Sequence, residues 1–277
     1  MQAQRWTAPG KELELLSSQP PACLAHAPAD KALVRAGQAL FNTPSLLGGQ
    51  AAKAGLNCAA CHVNGRDNPN FLVPGISGTS GTADVTSSFF STARHNAAFD
   101  PVAIPDLAKP GKISRDPQNK ALEIFIRDLI VDEFSGAEPG TSTLQALAAY
   151  VRSIEACPGK NAEPVPHRLD DQLLLIGSAL DGAVAMPARH NNKEAALLIG
   201  AARHQLGLIN ERYAGRQLAP ERRALLHSSR QLQAVGVAGI ASWRRNFENK
   251  LAPRLRKSEK YSLYNRHLLA KQLTISH

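Results

Sequence analysis

The segment Cys58-Ala59-Ala60-Cys61-His62 places a strict geometric requirement on the fold of this 277-residue chain. Two thiols one helical turn apart reach the two vinyl groups of a porphyrin, and the adjacent imidazole then lies under the ring, where its nitrogen binds iron. The spacing therefore predicts one covalently attached haem c, with Cys58 and Cys61 as the attachment points and His62 as an axial iron ligand.

Two other interpretations of a Cys-x-x-Cys pair are a redox dithiol and one half of a zinc site. Neither requires the following His, and the chain has no second Cys-x-x-Cys to complete a zinc site. The sequence also lacks a Gly-rich phosphate loop, a Gly-x-Ser-x-Gly turn and a His-Glu-x-x-His helix. Nucleotide-driven and hydrolytic functions therefore have no support.

Hydrophobic spacing predicts a mostly α-helical protein in three parts. Residues 1–30, interrupted by prolines, form an N-terminal strap, and residues 31–159 form the haem domain. Pro164 and Pro166 make a short linker to a basic helical domain at 167–277. We expect four or five antiparallel helices in that last domain, packed as a bundle.

Within the haem domain the pattern predicts helices at 31–41, about 118–133 and about 143–156. The intervening residues, 42–117, are rich in Gly, Pro, Ser, Thr and Asn and predict a long irregular segment. Such a segment fits a small domain that wraps around a large apolar cofactor.

The motifs of residues 31–157 resemble a haem domain of the bacterial cytochrome c peroxidase family. The resemblance is carried by Ala36-Gly37-Gln38-Ala39-Leu40-Phe41, by Gly48-Gly49 before the Cys-x-x-Cys-His motif, by Ile104-Pro105-Asp106-Leu107 and by Leu144–Ile154. It implies a cytochrome c-like fold for this domain. Members of that family normally hold two haems, whereas this chain has one attachment motif, which makes it a monohaem variant.

The sixth iron ligand separates an electron carrier, whose iron is fully coordinated, from an enzyme with an open site. The candidates are His95, Met186 beyond the linker, and an open or water-bound position. Arg94 and Arg115 are candidate contacts for the haem propionates, because partly buried carboxylates need cationic donors. Each of the two arginines is equally consistent with a solvated loop residue.

Cys23 and Cys157 bracket the haem domain, and we expect them to form a disulfide; the alternative is two unpaired buried thiols. Haem is joined to Cys-x-x-Cys-His outside the bacterial cytoplasmic membrane, where disulfides also persist. We therefore expect a periplasmic protein whose secretion signal is absent from these residues. No apolar run approaches the ~20 residues that span a bilayer, so we expect no transmembrane segment.

The net charge of +9 is concentrated in one part of the chain. Residues 1–166 contain 14 Lys and Arg against 15 Asp and Glu, whereas residues 167–277 contain 18 against 8. This asymmetry is consistent with an acidic partner, whether protein, lipid headgroup or polyanion, and equally with a set of solvated helix faces; the expected compartment makes nucleic acid the least favoured polyanion. The leading hypothesis is a periplasmic electron carrier whose basic domain docks an acidic redox protein. The alternatives are a peroxidase-like haem oxidoreductase and a haem-based sensor or adaptor.

Overall fold

The structure, a computed structural model, describes residues 1–25, 31–91, 93, 98–159, 163–185 and 192–275. These residues are mostly helical, which confirms the predicted fold class at that level. The α-helices among them are α1 (Glu12–Ser17), α2 (Lys31–Phe41), α3 (Gly49–Ala54), α4 (Cys58–Cys61), α5 (Ala121–Asp128), α6 (Thr141–Ser153), α7 (Leu169–Ala185), α8 (Asn192–Arg212), α9 (Ala219–Val235), α10 (Ile240–Asn246), α11 (Ala252–Ser258) and α12 (Arg266–Ile275).

Shorter helical turns and strands complete the described structure. The 3₁₀ turns are Gln2–Trp6, Pro44–Leu46, Val63–Gly65, Arg216–Leu218 and Glu259–Tyr261, and two π-helical turns are Leu129–Glu133 and Phe247–Leu251. The strands are β1 (Ser18–Gln19), β2 (Thr82–Ala83), β3 (Val102–Ala103) and β4 (Val165–Pro166). Strand β1 pairs antiparallel with β4, and β2 pairs antiparallel with β3.

Several helices lie where hydrophobic spacing places them. Helix α2 covers the predicted residues 31–41, and its apolar side is buried. Helix α9 begins at Ala219 with a proline in its first turn, a position where proline is favoured. Helix α5 begins at Ala121, three residues later than predicted, and continues through the π-helical turn to Glu133.

The strap is fastened to the rest of the molecule by backbone pairing at three places. Isolated bridges join Thr7 to Phe71 and Leu24 to Ile154, and β1 pairs with β4 between them. Because β4 lies in the predicted Pro-rich linker, the strap holds this linker in place.

Helix α2 is the central element of the core. It packs against α6 on one side and against α7 on the other, and α7 in turn packs against α8. A continuous hydrophobic cluster therefore includes residues from both sides of the linker. The division into domains at 31–159 and 167–277 stays a prediction. Among the described helices, none has both the length and the apolar character needed to cross a membrane.

Candidate functional site

The Cys-x-x-Cys-His motif forms a single helical turn with a defined start. Asn57 is the N-cap of α4, and its side-chain oxygen accepts a hydrogen bond of 3.0 Å from the Ala60 amide. Asparagine is among the best N-cap residues because its side chain satisfies an amide that the first turn leaves free. The cap therefore fixes Cys58 and Cys61 at the two ends of one turn.

A hydrogen bond to the backbone determines how the His62 ring is oriented. Nδ1 of His62 lies 3.0 Å from the carbonyl oxygen of Pro105. A carbonyl is only an acceptor, so Nδ1 carries the hydrogen and donates it. Nε2 is then the unprotonated nitrogen with a free lone pair, and it makes no hydrogen bond with the described residues.

The segment that supplies this carbonyl is itself held in place. Leu107 donates its amide hydrogen to the Gly65 carbonyl at 2.9 Å, and Nη2 of Arg66 donates to Oδ2 of Asp106 at 2.6 Å. The Asp106 side chain is buried, so this ion pair is shielded from water on one side. These contacts attach residues 105–107 to the turn that follows His62.

Burial changes the protonation of all three motif side chains. Desolvation lowers the pKa of His62 to about 4, although the hydrogen bond to Pro105 on its own raises this pKa. The imidazole is therefore neutral at pH 7, which is the form that binds metals. Burial raises the pKa of Cys58 and of Cys61 to about 12, so both are protonated thiols.

The raised pKa values bear on the alternative interpretations of the Cys pair. A redox dithiol reacts through a thiolate and usually has a lowered pKa, so buried protonated Cys58 and Cys61 do not favour that function. Within the described part of the chain, no group of three or more His, Cys, Asp or Glu side chains is arranged as a metal-ion site.

Comparison with protein-family models, curated proteins and solved structures gives no match. The site is therefore interpreted from its own residues.

The side chains of the Cys-x-x-Cys-His motif and the apolar residues around them fit a covalently bound haem. Cys58 and Cys61 are unpaired thiols that pack against the hydrophobic cluster, in which Phe41 lies with its ring centroid 6.4 Å from that of His62. An apolar environment, two thiols on one turn and an imidazole with a free Nε2 are the groups that c-type attachment requires.

Arg115, predicted as a propionate contact, is bound to the backbone. Its Nη2 donates to the Leu107 carbonyl, and partial burial lowers the pKa of Arg115. Nε of Arg152 donates at 3.0 Å to the Arg115 carbonyl, and Arg152 also pairs with Glu123 at 2.7 Å. Arg115 thus links the segment after Asp106 to α6, and its contact with a propionate stays a prediction.

The structure joins Cys23 and Cys157 in a disulfide, with their Cα atoms 5.4 Å apart. The Glu155 amide donates to the Cys23 carbonyl at 2.9 Å, so a hydrogen bond accompanies the covalent link. Three other predicted site residues, Arg94, His95 and Met186, lie outside the described residues. The sixth-ligand prediction therefore stays open.

Sequence reasoning missed the roles of Pro105 and Arg66. Pro105 was noticed only as part of a family-like segment, because a backbone carbonyl has no sequence signature of its own. Arg66, four positions after His62, is the more detectable of the two, since a cation close to the motif needs an acidic partner if it is partly buried.

Proposed function

We propose that this chain is a periplasmic c-type haem protein that transfers electrons through one covalently bound haem. Cys58 and Cys61 hold the porphyrin, and His62 binds the iron through Nε2. The hydrogen bond from Nδ1 of His62 to the Pro105 carbonyl is the observation that carries the proposal. Ligating histidines usually donate their other ring N–H to a carbonyl or carboxylate in this way.

Haem, when bound, supplies one-electron chemistry between ferric and ferrous iron. The chain's own residues fix the orientation of the His62 ligand. Pro105 keeps His62 in one tautomer, and the ion pair between Arg66 and Asp106 keeps the Pro105 segment in position. The apolar surroundings of Cys58 and Cys61 favour a cofactor with a large hydrophobic surface.

The basic residues after position 166 suit the docking of an acidic redox protein, which is the second part of the proposal. Nine cationic side chains between Arg222 and Lys271 are exposed and have no ion-pair partner among the described residues. They are Arg222, Arg223, Arg230, Arg245, Lys250, Lys257, Lys260, Arg266 and Lys271. Charges of this kind mainly increase the rate of association with an oppositely charged partner.

The test is production of the chain in a host that attaches haem to exported proteins. The native chain is expected to keep its pigment in acidified organic solvent, whereas Cys58→Ser/Cys61→Ser loses it. Cys23→Ser/Cys157→Ser is the matched control, since it removes two cysteines but leaves the motif intact. A colourless native chain, or pigment that is extracted from it, contradicts the proposal.

The absorption spectrum of the same samples reports the iron's spin state. An electron carrier is expected to be low-spin and unchanged by cyanide or peroxide. A high-spin fraction that shifts with these ligands identifies the peroxidase-like alternative instead.

A further inference from the structure

A cavity of about 310 Å³ lies beside the haem-attachment turn, and the proposed function assigns no role to it. Its wall is formed by the strap at Trp6, by Asn57 and Ala59 at the attachment turn, and by Leu175 of α7 and Leu208 of α8. Small-molecule sites in proteins begin at about this volume. The cavity therefore has room for a small organic molecule.

Gln205 is a polar residue in an otherwise apolar buried row of α8. Leu198, Ala202, Ile209 and Tyr213 occupy the same side of the helix and are fully buried or nearly so. Gln205 is 2% exposed and lines the cavity, yet its carboxamide makes no hydrogen bond with the described residues. A polar group on an otherwise apolar buried row needs a hydrogen-bond partner, and for Gln205 the cavity is the place from which such a partner can come.

Two further polar side chains line the same cavity without a hydrogen-bond partner among the described residues: Gln38 of α2 and His204 of α8. Burial lowers the pKa of His204 to about 4, so its imidazole is neutral at pH 7. A carboxamide and a neutral imidazole each offer a donor and an acceptor. Together with Gln205, they present three uncharged groups to the cavity.

Of the cations in the cavity wall, Arg212 and the Met1 amino group are engaged by the protein, whereas Arg168 is exposed to solvent. The Arg212 guanidinium donates to the carbonyls of Leu16 at 3.0 Å and of Leu263 at 3.2 Å. It also lies 4.8 Å from the centroid of the Tyr264 ring.

Two carboxylates in the wall are engaged as well. Glu211 accepts the Gln2 amide hydrogen at 2.8 Å, and Asp171 accepts from the Gln19 side chain at 3.0 Å. Apart from the exposed Arg168, the groups left for a ligand are therefore uncharged.

We propose that this cavity binds a small uncharged molecule with an apolar body and one donor–acceptor group, of the aromatic carboxamide or phenol class. Leu175 and Leu208 contact the apolar body, and Gln205, Gln38 and His204 hydrogen-bond to the polar group. The proposal does not depend on haem attachment.

The test uses the full chain and benzamide as the probe, with binding followed by ligand-detected NMR and titration calorimetry. Native protein is expected to bind benzamide, and Gln205→Leu is expected to weaken binding roughly tenfold, because it removes about two neutral hydrogen bonds. The matched control is Gln233→Leu on the exposed side of α9, which is expected to bind like the native chain.

A second variant protects the test against misfolding. Leu208→Trp is expected to fill the cavity and abolish benzamide binding while the helical circular dichroism is retained. The proposal is overturned by the absence of benzamide binding to the native chain, by equal affinity in Gln205→Leu, or by tighter binding of benzoate or benzylamine than of benzamide.

Discussion

At the level of single residues, the environment of each histidine determines what that histidine can do. His62 has a backbone acceptor on one nitrogen and a free lone pair on the other. His167 is also held by a backbone carbonyl, that of Leu15, at 3.0 Å. His204 has no such partner among the described residues and faces a cavity. The three rings are similarly buried but chemically different.

His204 is expected to make the protein less stable in acid. Its folded pKa of about 4 lies below the unfolded value near 6.5, so the unfolded chain binds more protons between these values. Stability is then full above pH 6.5 and falls as the pH decreases towards 4. The native chain loses free energy of unfolding between pH 7 and pH 4.5, and His204→Leu is expected to remove on the order of 2 kcal/mol of that loss.

Urea unfolding at the two pH values measures this effect. His227→Leu is the control, because His227 lies on an exposed part of α9. If the native chain and His204→Leu lose the same free energy of unfolding on acidification, the assignment to His204 is wrong.

A functional residue could be predicted from the sequence only where the residues that determine its role lie close to it in the chain. The Cys58, Cys61 and His62 set is readable because the whole motif lies within five consecutive residues. His204 lies on α8, whose hydrophobic spacing does not report that its ring is partly buried. Strap residues such as Trp6 line the same cavity as His204, and no local pattern reports neighbours so far apart in the chain.

At the level of elements, the crossing of α2 and α6 depends on Gly37. A Cβ atom at this position would overlap the Ala146 carbonyl and lie 2.9 Å from Cβ of Tyr150. The two backbones therefore approach more closely than any residue with a side chain permits. Gly37→Val is expected to reduce the free energy of unfolding by at least about 3 kcal/mol, because the helices must separate.

Gly207→Ala in α8 is the matched control for this substitution. No atom lies within 4 Å of the Cβ position there, so the change is expected to stabilise the helix by about 0.5–1 kcal/mol. Thermal and urea unfolding measure both variants. A native-like midpoint for Gly37→Val contradicts the close-crossing argument.

Helix positions were predictable where caps and apolar spacing agree, as at α2 and α9, and less so where tertiary contacts intervene. Helix α6 ends at Ser153 rather than near residue 156, because Ile154 pairs with Leu24 of the strap. Tyr261 lies three residues before Tyr264, at a spacing typical of one helix face, but it is 50% exposed. It lies in a 3₁₀ turn, so the α-helical period does not apply to it.

At the level of the whole molecule, the disulfide between Cys23 and Cys157 closes a loop with a sequence separation of 134 residues. Removing a cross-link over a loop of this length lowers stability by about 4–5 kcal/mol in the chain-entropy model. Cys23→Ser/Cys157→Ser is expected to unfold at correspondingly lower urea concentration. Adding a thiol reductant to the native chain should reproduce the loss and leave the variant unchanged; equal midpoints in all samples would contradict this prediction.

The excess of positive charge after position 166 affects how the whole molecule associates with a charged partner. Electron exchange with an acidic blue-copper protein, used as a probe, is expected to slow as ionic strength rises from about 0.01 M to about 0.15 M. At low salt, the variant Arg223→Glu/Arg230→Glu on α9 is expected to slow electron exchange more than the control variant Lys53→Glu/Lys109→Glu. Both variants change the net charge by the same amount. Rates that do not respond to salt in stopped-flow measurements exclude docking through the basic helices.

The wide separation of the two disulfide cysteines also has a consequence for how the protein is made. Cys23, Cys58 and Cys61 are all synthesised before Cys157, so an early oxidant can join Cys23 only to a thiol of the haem motif. Such a bond would use a sulfur that the porphyrin needs and leave Cys157 without its partner. On the proposed function, a bond between Cys23 and a motif thiol is therefore a competing reaction that maturation has to avoid until Cys157 is present.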